Sequence, residues 1–127
     1  MRIESLEPGE IFVFGSNASG AHGAGAAATA VERFGAVWGQ GDGLQGQSYG
    51  IDTMSGAATM GESVERFLSF AARHPELRFL VTEIGCGIAG YTPEQVAPLF
   101  RGSPENVVLP ERFRAVLEGG LVDGDVS

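Results

Sequence analysis

Lysine is missing from this chain: all eight of its cationic side chains are arginine, at positions 2, 33, 66, 73, 78, 101, 112 and 114. A mechanism that needs a side-chain amine, a Schiff base above all, is thereby excluded. Cysteine occurs once, as Cys86, so there is no disulfide framework and the chain fits a reducing compartment. His22 and His74 are far apart and make no ligand cluster with that cysteine, so no metal and no cofactor is expected. Positive charge is scarce as well: eight basic residues against 16 acidic ones leave a net charge of −8 and a pI near 4.6. That balance argues against bulk electrostatic binding to nucleic acid or to an acidic membrane, while a local basic pocket stays open. No apolar run approaches the roughly 20 residues of a membrane span, and MRIESLEPGE carries no apolar signal core. A soluble, cytoplasmic protein is expected.

What the chain has in abundance is glycine, 20 of its 127 residues. The length fits a single domain, 1–127, and the hydrophobic fraction of 43% with a mean hydropathy of +0.07 is ordinary for a globular protein. The glycines concentrate in the stretch that organises the rest, IFVFGSNASGAHGAGAAATAVERF from Ile11 to Phe34. It reads as a short buried strand, a loop of glycine and small polar residues, and a helix starting near Ala24. Such a join presents a concave patch of backbone N–H groups with the positive end of the helix dipole behind it, which suits an anion and phosphate above all. Gly15, Gly20, Gly23 and Gly25 would let a ligand approach that backbone without a Cβ in the way.

The remaining elements follow from pattern. Pro8-Gly9 marks a turn before the first strand, Ile11 to Phe14. Ala26, Ala27, Ala30, Val31 and Phe34 recur at helical spacing, so the helix from about Gly25 to Phe34 packs closely on a sheet. Residues 35–46 read as a loop with Trp38 and Leu44 as its anchors, and Ser48 to Thr53 as a strand. After a flexible segment, 54–61, the stripe Val64, Phe67, Leu68 and Ala71 predicts a helix over 62–74, stopped by Pro75. Arg78 to Ile84 is the strongest strand and runs into a second glycine loop, GCGIAGY. Thr92, Pro93 and Gln95 then carry a capping signature. A strand at 107–109, a helix over 110–117 and a frayed tail over 118–127 close the chain. Strands alternating with helices predict a three-layer α/β/α sandwich on a mostly parallel, mixed sheet. In such sheets ligands bind beyond the carboxyl ends of the strands, where both glycine loops emerge.

The blocks GSNASGAHGAGAAATAVERFG (15–35), GLQGQSYGIDT (43–53) and VTEIGCGIAGYTPEQVAPLF (81–100) resemble, in order and spacing, a macrodomain, the ADP-ribose-binding α/β module. The resemblance is closest to the branch that includes the terminal ADP-ribose protein glycohydrolase. It implies that the partner is ADP-ribose or an ADP-ribosylated macromolecule. The first loop would lie over the distal ribose and one phosphate, with Asn17 near that ribose; the second would clamp the pyrophosphate. The expected ligand-binding residues are therefore Gly15, Ser16, Asn17, Gly23, Ala24 and Gly25, with Gly85, Cys86, Gly87, Ile88, Ala89, Gly90 and Tyr91. The chain departs from that branch where its chemistry sits. Thr53 or Met54 stands where the attacking Lys should be, and Ala89 stands where the assisting Asp should be. No acidic residue in a recognisable motif is found for the adenine amino group among Glu4, Glu7 and Glu10.

Each candidate has a plainer account. Asn17 either touches the ligand or caps a turn. His22, at the expected mouth, either bonds a ribose hydroxyl or positions a water, or is an exposed loop histidine. Asp52, near a strand end, either orients a water for attack at the anomeric carbon or is an exposed strand residue. These three are the catalytic candidates. Cys86 reads better as a small buried hydrophobe than as a nucleophile, because no base partners it. Glu83 is expected to pair with an arginine, and Tyr91 either covers the pyrophosphate or anchors its loop. Three functions stay open: an ADP-ribosyl hydrolase using general acid–base or substrate-assisted chemistry, a non-catalytic ADP-ribose reader, and a small phage-associated accessory protein that keeps the fold without the ligand.

Overall fold

A computed structural model of the chain describes residues 5–23 and 25–126, with side chains described through residue 119. Ala24 and Glu4 lie outside the described residues. The elements run β1 (Glu10–Ser16), α1 (Gly25–Arg33), β2 (Gly43–Gln45), β3 (Ser48–Asp52), α2 (Ala57–Arg73), β4 (Arg78–Val81), α3 (Pro93–Val96) with a 3-10 turn at Ala97–Phe100, β5 (Val107–Val108) and α4 (Glu111–Val126). The five strands form one mixed, mostly parallel sheet in the order β2-β3-β1-β4-β5. β1 lies at its centre, parallel to β3 and β4, with Phe12 opposite Ser48 on one side and Leu80 on the other.

The alternation along β1 divides the interior in two. Ile11 and Val13 face the larger core, where Phe67, Phe79, Phe100 and Phe113 are all within 1% of complete burial. Phe12 and Phe14 face the smaller one, closed by Ala27 and Ala30 of α1 and by Phe34 and Ala36 just after it. Small residues on α1 let it sit close to the strands. This is α/β architecture with helices on both faces. No helix among the described residues is long and apolar enough to cross a membrane.

Several element bounds differ from the pattern reading. α2 begins at Ala57 rather than near residue 62, because Met60 is buried to 2% exposure and its burial outweighs the weak helix propensity of Gly61. Residues 43–45, read as loop, form an antiparallel edge strand, with Leu44 opposite Tyr49. Trp38 and Leu44 do not anchor that loop: they are 59% and 42% exposed, and buried Ala36 and Gln45 hold it instead. α4 runs on to Val126, across residues expected as tail. α3 starts as expected, with both halves of the Thr92–Gln95 capping box made and Pro93 inside the first turn.

Candidate functional site

Three parallel strands end on one edge, β1 at Ser16, β3 at Asp52 and β4 at Val81, and the chain beyond them encloses a cavity of about 520 Å³. The first loop contributes Gly15, Ser16, Asn17, Ala21 and Gly23, and the head of α1 adds Gly25, Ala26 and Ala27. The second contributes Gly85, Gly87, Ile88 and Ala89. The two glycine loops, 60 and more residues apart in sequence, thus share one cavity. Thr53, Met54, Thr82, Glu83 and Ile84 complete its wall. These five follow the ends of β3 and β4, so the strand-end rule for parallel sheets points to them, although no local motif does.

The first loop is built from main-chain contact. The Asn17 carboxamide folds it: Oδ1 accepts from the Ala21 N–H at 3.0 Å and the Ser19 hydroxyl at 2.9 Å, while Nδ2 donates to the Ala21 carbonyl at 3.0 Å. Asn17 therefore lines the cavity with its polar groups turned into its own loop. A second loop, 38–42, is docked on it through glycine. A Cβ on Gly41 would stand 1.9 Å from the Asn17 carbonyl oxygen, so only glycine permits that approach. The Gly39 N–H donates to the Gly20 carbonyl at 3.0 Å across the same seam.

His22 is not at a mouth. It is 1% exposed, packed edge-on against Phe14 with ring centroids 5.2 Å apart, and its Nε2 bonds the Gln40 carbonyl at 2.9 Å. Those contacts make it an internal strut between the two loops; Nδ1 is buried without a partner. Asp52 is likewise engaged elsewhere. It is 7% exposed and does not line the cavity; Oδ1 accepts from the Met54 N–H at 3.0 Å and Oδ2 from the Ser55 hydroxyl at 2.7 Å, closing the turn after β3. A strand carboxylate reaches burial here because its own turn supplies the donors.

In the second loop, Gly85 has φ +76°, a conformation that glycine adopts without strain, and the Tyr91 N–H donates to its carbonyl at 2.8 Å. Tyr91 and Cys86 pack against the larger core and, with Gly90, do not line the cavity. Burial, with the Glu83 carboxylate adding to it, pushes the Cys86 thiol up, so the group is a poor thiolate at neutral pH.

Comparison with family models, with curated proteins and with solved structures yields no match. Function therefore has to be argued from the cavity itself.

Its chemistry is simple. Among the described residues no Arg or His lines it, and Glu83 is its one ionisable side chain, held by Arg112 through an Nη1–Oε1 bond of 3.1 Å. What the cavity offers a ligand is main chain: glycine-rich loops and the first turn of α1, whose leading N–H groups have no partners within the helix. Ser16 is on the wall too, but its hydroxyl is buried and without a hydrogen-bond partner. Such a setting can hold an anion by amide dipoles. Of the three groups proposed for catalysis, only Asn17 reaches the cavity wall, and its carboxamide is satisfied within its loop.

Proposed function

We propose that this chain is a macrodomain-like module that binds ADP-ribose, free or attached to a macromolecule, and does not turn it over. The observation that carries the reading is the convergence of both glycine loops and the α1 N-terminus on one cavity. Its volume of about 520 Å³ lies within the roughly 300–1,000 Å³ of small-molecule sites. A diphosphate gripped between the loops would take amide hydrogen bonds on both sides, with the helix dipole favouring its charge. The apolar surroundings of Ile84, Ala26 and Ala27 exclude water and strengthen those bonds.

Binding without turnover is favoured by what the lining lacks. Attack at an anomeric carbon needs a positioned nucleophile or base. Asp52 and His22 are committed to a turn and a strut, Cys86 packs in the core, and Glu83 is paired with Arg112. Calorimetry with ADP-ribose, AMP and ribose 5-phosphate tests binding, and incubation with mono-ADP-ribosylated protein and nucleic acid tests turnover. The expected result is heat with ADP-ribose and no free ADP-ribose released. Heat with none of the three would overturn the reading, and release would reassign the chain as a hydrolase.

A further inference from the structure

Trp38 is the one exposed aromatic side chain among the described residues, at 59%, and its loop is not a loose one. Val37 N–H donates to Gln45 Oε1 at 2.8 Å, and Gly39 N–H donates to the Gly20 carbonyl at 3.0 Å. The Gln40 carbonyl accepts from Gln45 Nε2 at 3.1 Å and bonds His22 Nε2 at 2.9 Å. The backbone on either side of Trp38 is thus pinned to two buried side chains. Gln45 is 3% and His22 1% exposed. An indole on so fixed a support costs little entropy to present, which is how binding surfaces use tryptophan.

Its position matters more than its exposure. The Trp38 Cη2 atom lies 3.7 Å from where a Cβ on Gly23 would stand, and Gly23 lines the cavity. Trp38 thus stands just outside the lining, next to Gly23, whereas two other exposed apolar side chains, Met54 at 49% and Ile88 at 83%, line the cavity itself. The main-chain interior therefore has apolar side chains at its edge, one of them aromatic. We propose that Trp38 is a packing platform for a ring of the bound nucleotide, the planar nucleobase or the C–H face of a furanose, at the Gly23 side of the cavity. This rests on the nucleotide reading given above.

Trp38 is the only tryptophan of the chain, so its emission reports on this spot alone. ADP-ribose, ADP and ribose 5-phosphate are titrated by tryptophan fluorescence and by calorimetry, on the wild type and on W38A and W38F. ADP-ribose is expected to change the emission. W38A should bind about tenfold more weakly, in the range for losing one ring stack, with circular dichroism and Tm unchanged, while W38F keeps most of the affinity. An emission change with ADP but not with ribose 5-phosphate assigns the ring as the base, and the reverse assigns it as the sugar. Calorimetric binding that W38A leaves intact, with no emission change in the wild type, overturns the platform while the nucleotide site stands. Absence of heat with wild-type protein overturns both.

Discussion

Ser16 and Ser48 point to the same face of the sheet and are both buried, at 4% and 0% exposure, yet replacing each by alanine should move stability in opposite directions. The Ser48 hydroxyl donates to the Phe34 carbonyl at 3.0 Å. Removing it loses one net hydrogen bond, about 1 kcal/mol, and strands nothing, since the Phe34 carbonyl keeps the Gln47 N–H at 2.9 Å. The Ser16 hydroxyl has no partner, and a buried polar group left unmatched costs about 1–3 kcal/mol. Ser16→Ala removes that cost and loses only slight packing, so it should stabilise the protein by about 1 kcal/mol. With roughly 3–5 °C of Tm per kcal/mol for a domain of this size, the two variants should lie about 6–10 °C apart, one above and one below the wild type. Thermal and urea unfolding by circular dichroism read this directly, the urea slope serving to show that the denatured state is unchanged. ADP-ribose affinity should change less than about threefold in Ser16→Ala, because the hydroxyl oxygen is itself buried and offers a ligand no contact. A fall in Tm for Ser16→Ala equal to that for Ser48→Ala would refute the reading of this hydroxyl as a buried group left unmatched.

Gly41→Ala would set a Cβ 1.9 Å from the Asn17 carbonyl oxygen, backbone against backbone, so the first loop must shift; unfolding should show a loss of about 2 kcal/mol or more, with ADP-ribose heat abolished. Asp52→Ala removes two turn bonds and should cost about 1–2 kcal/mol in urea unfolding, and any effect on ADP-ribose release assays beyond that loss of fold would restore Asp52 to catalysis. Because no cationic side chain among the described residues lines the cavity, ADP-ribose affinity should change less than about threefold between low and moderate salt in calorimetry, unlike a site built on arginines. The Tyr49 phenol is pushed up to about 12, chiefly by burial and secondly by the Asp42 carboxylate. The folded protein thus holds that proton more tightly than the unfolded chain. Its contribution is complete below pH 10 and is lost as pH rises through about 12. A Tm profile over that window should decline in the wild type and flatten in Tyr49→Phe.

Elements that advertise themselves locally were legible in the sequence. The apolar run of β1, the 3.6-residue stripe of α2 and the Thr92–Gln95 box each carry their own signal, and all three stand. The meeting of the two glycine loops could be inferred from parallel-strand topology. What escaped depends on neighbours distant in sequence. β2 spans only Gly43–Gln45 between glycines and exists because β3 lies beside it. His22 among glycines reads as exposed, and only the approach of Phe14 and Gln40 encloses it. Trp38 and Leu44 read as anchors because large apolar residues in loops usually are, whereas an amide side chain, Gln45, does that work through three carbonyl and amide partners: the Val37 N–H and the Gln40 and Gly43 carbonyls. Glu83 was read as an arginine's partner and is one, but its place on the cavity wall follows from where β4 stops.

The division of the interior bears on what a ligand would do to the protein. Among the described residues sixteen buried side chains make the larger core and six the smaller, so of these the α1 side holds far less apolar area. α1 belongs to the smaller core through Ala27 and Ala30, and the first loop packs on it through His22 against Phe14. The second loop belongs to the larger one, through Ile84, Cys86 and Tyr91. The cavity lies where these two unequal halves meet, and its walls come from both. Local opening in proteins begins where buried contacts are fewest, which here is the half that carries α1. A ligand bonded to both loops adds contacts across that seam, so its binding energy goes first into holding the weaker half against the stronger. The two loops already approach each other here, since a Cβ on Gly15 would stand 3.5 Å from the Gly85 nitrogen, and a ligand would add to that contact. If the chain binds a nucleotide here as proposed, occupancy should raise hydrogen-exchange protection of the first loop and α1 more than that of the second loop, the behaviour of a protein that reports a ligand.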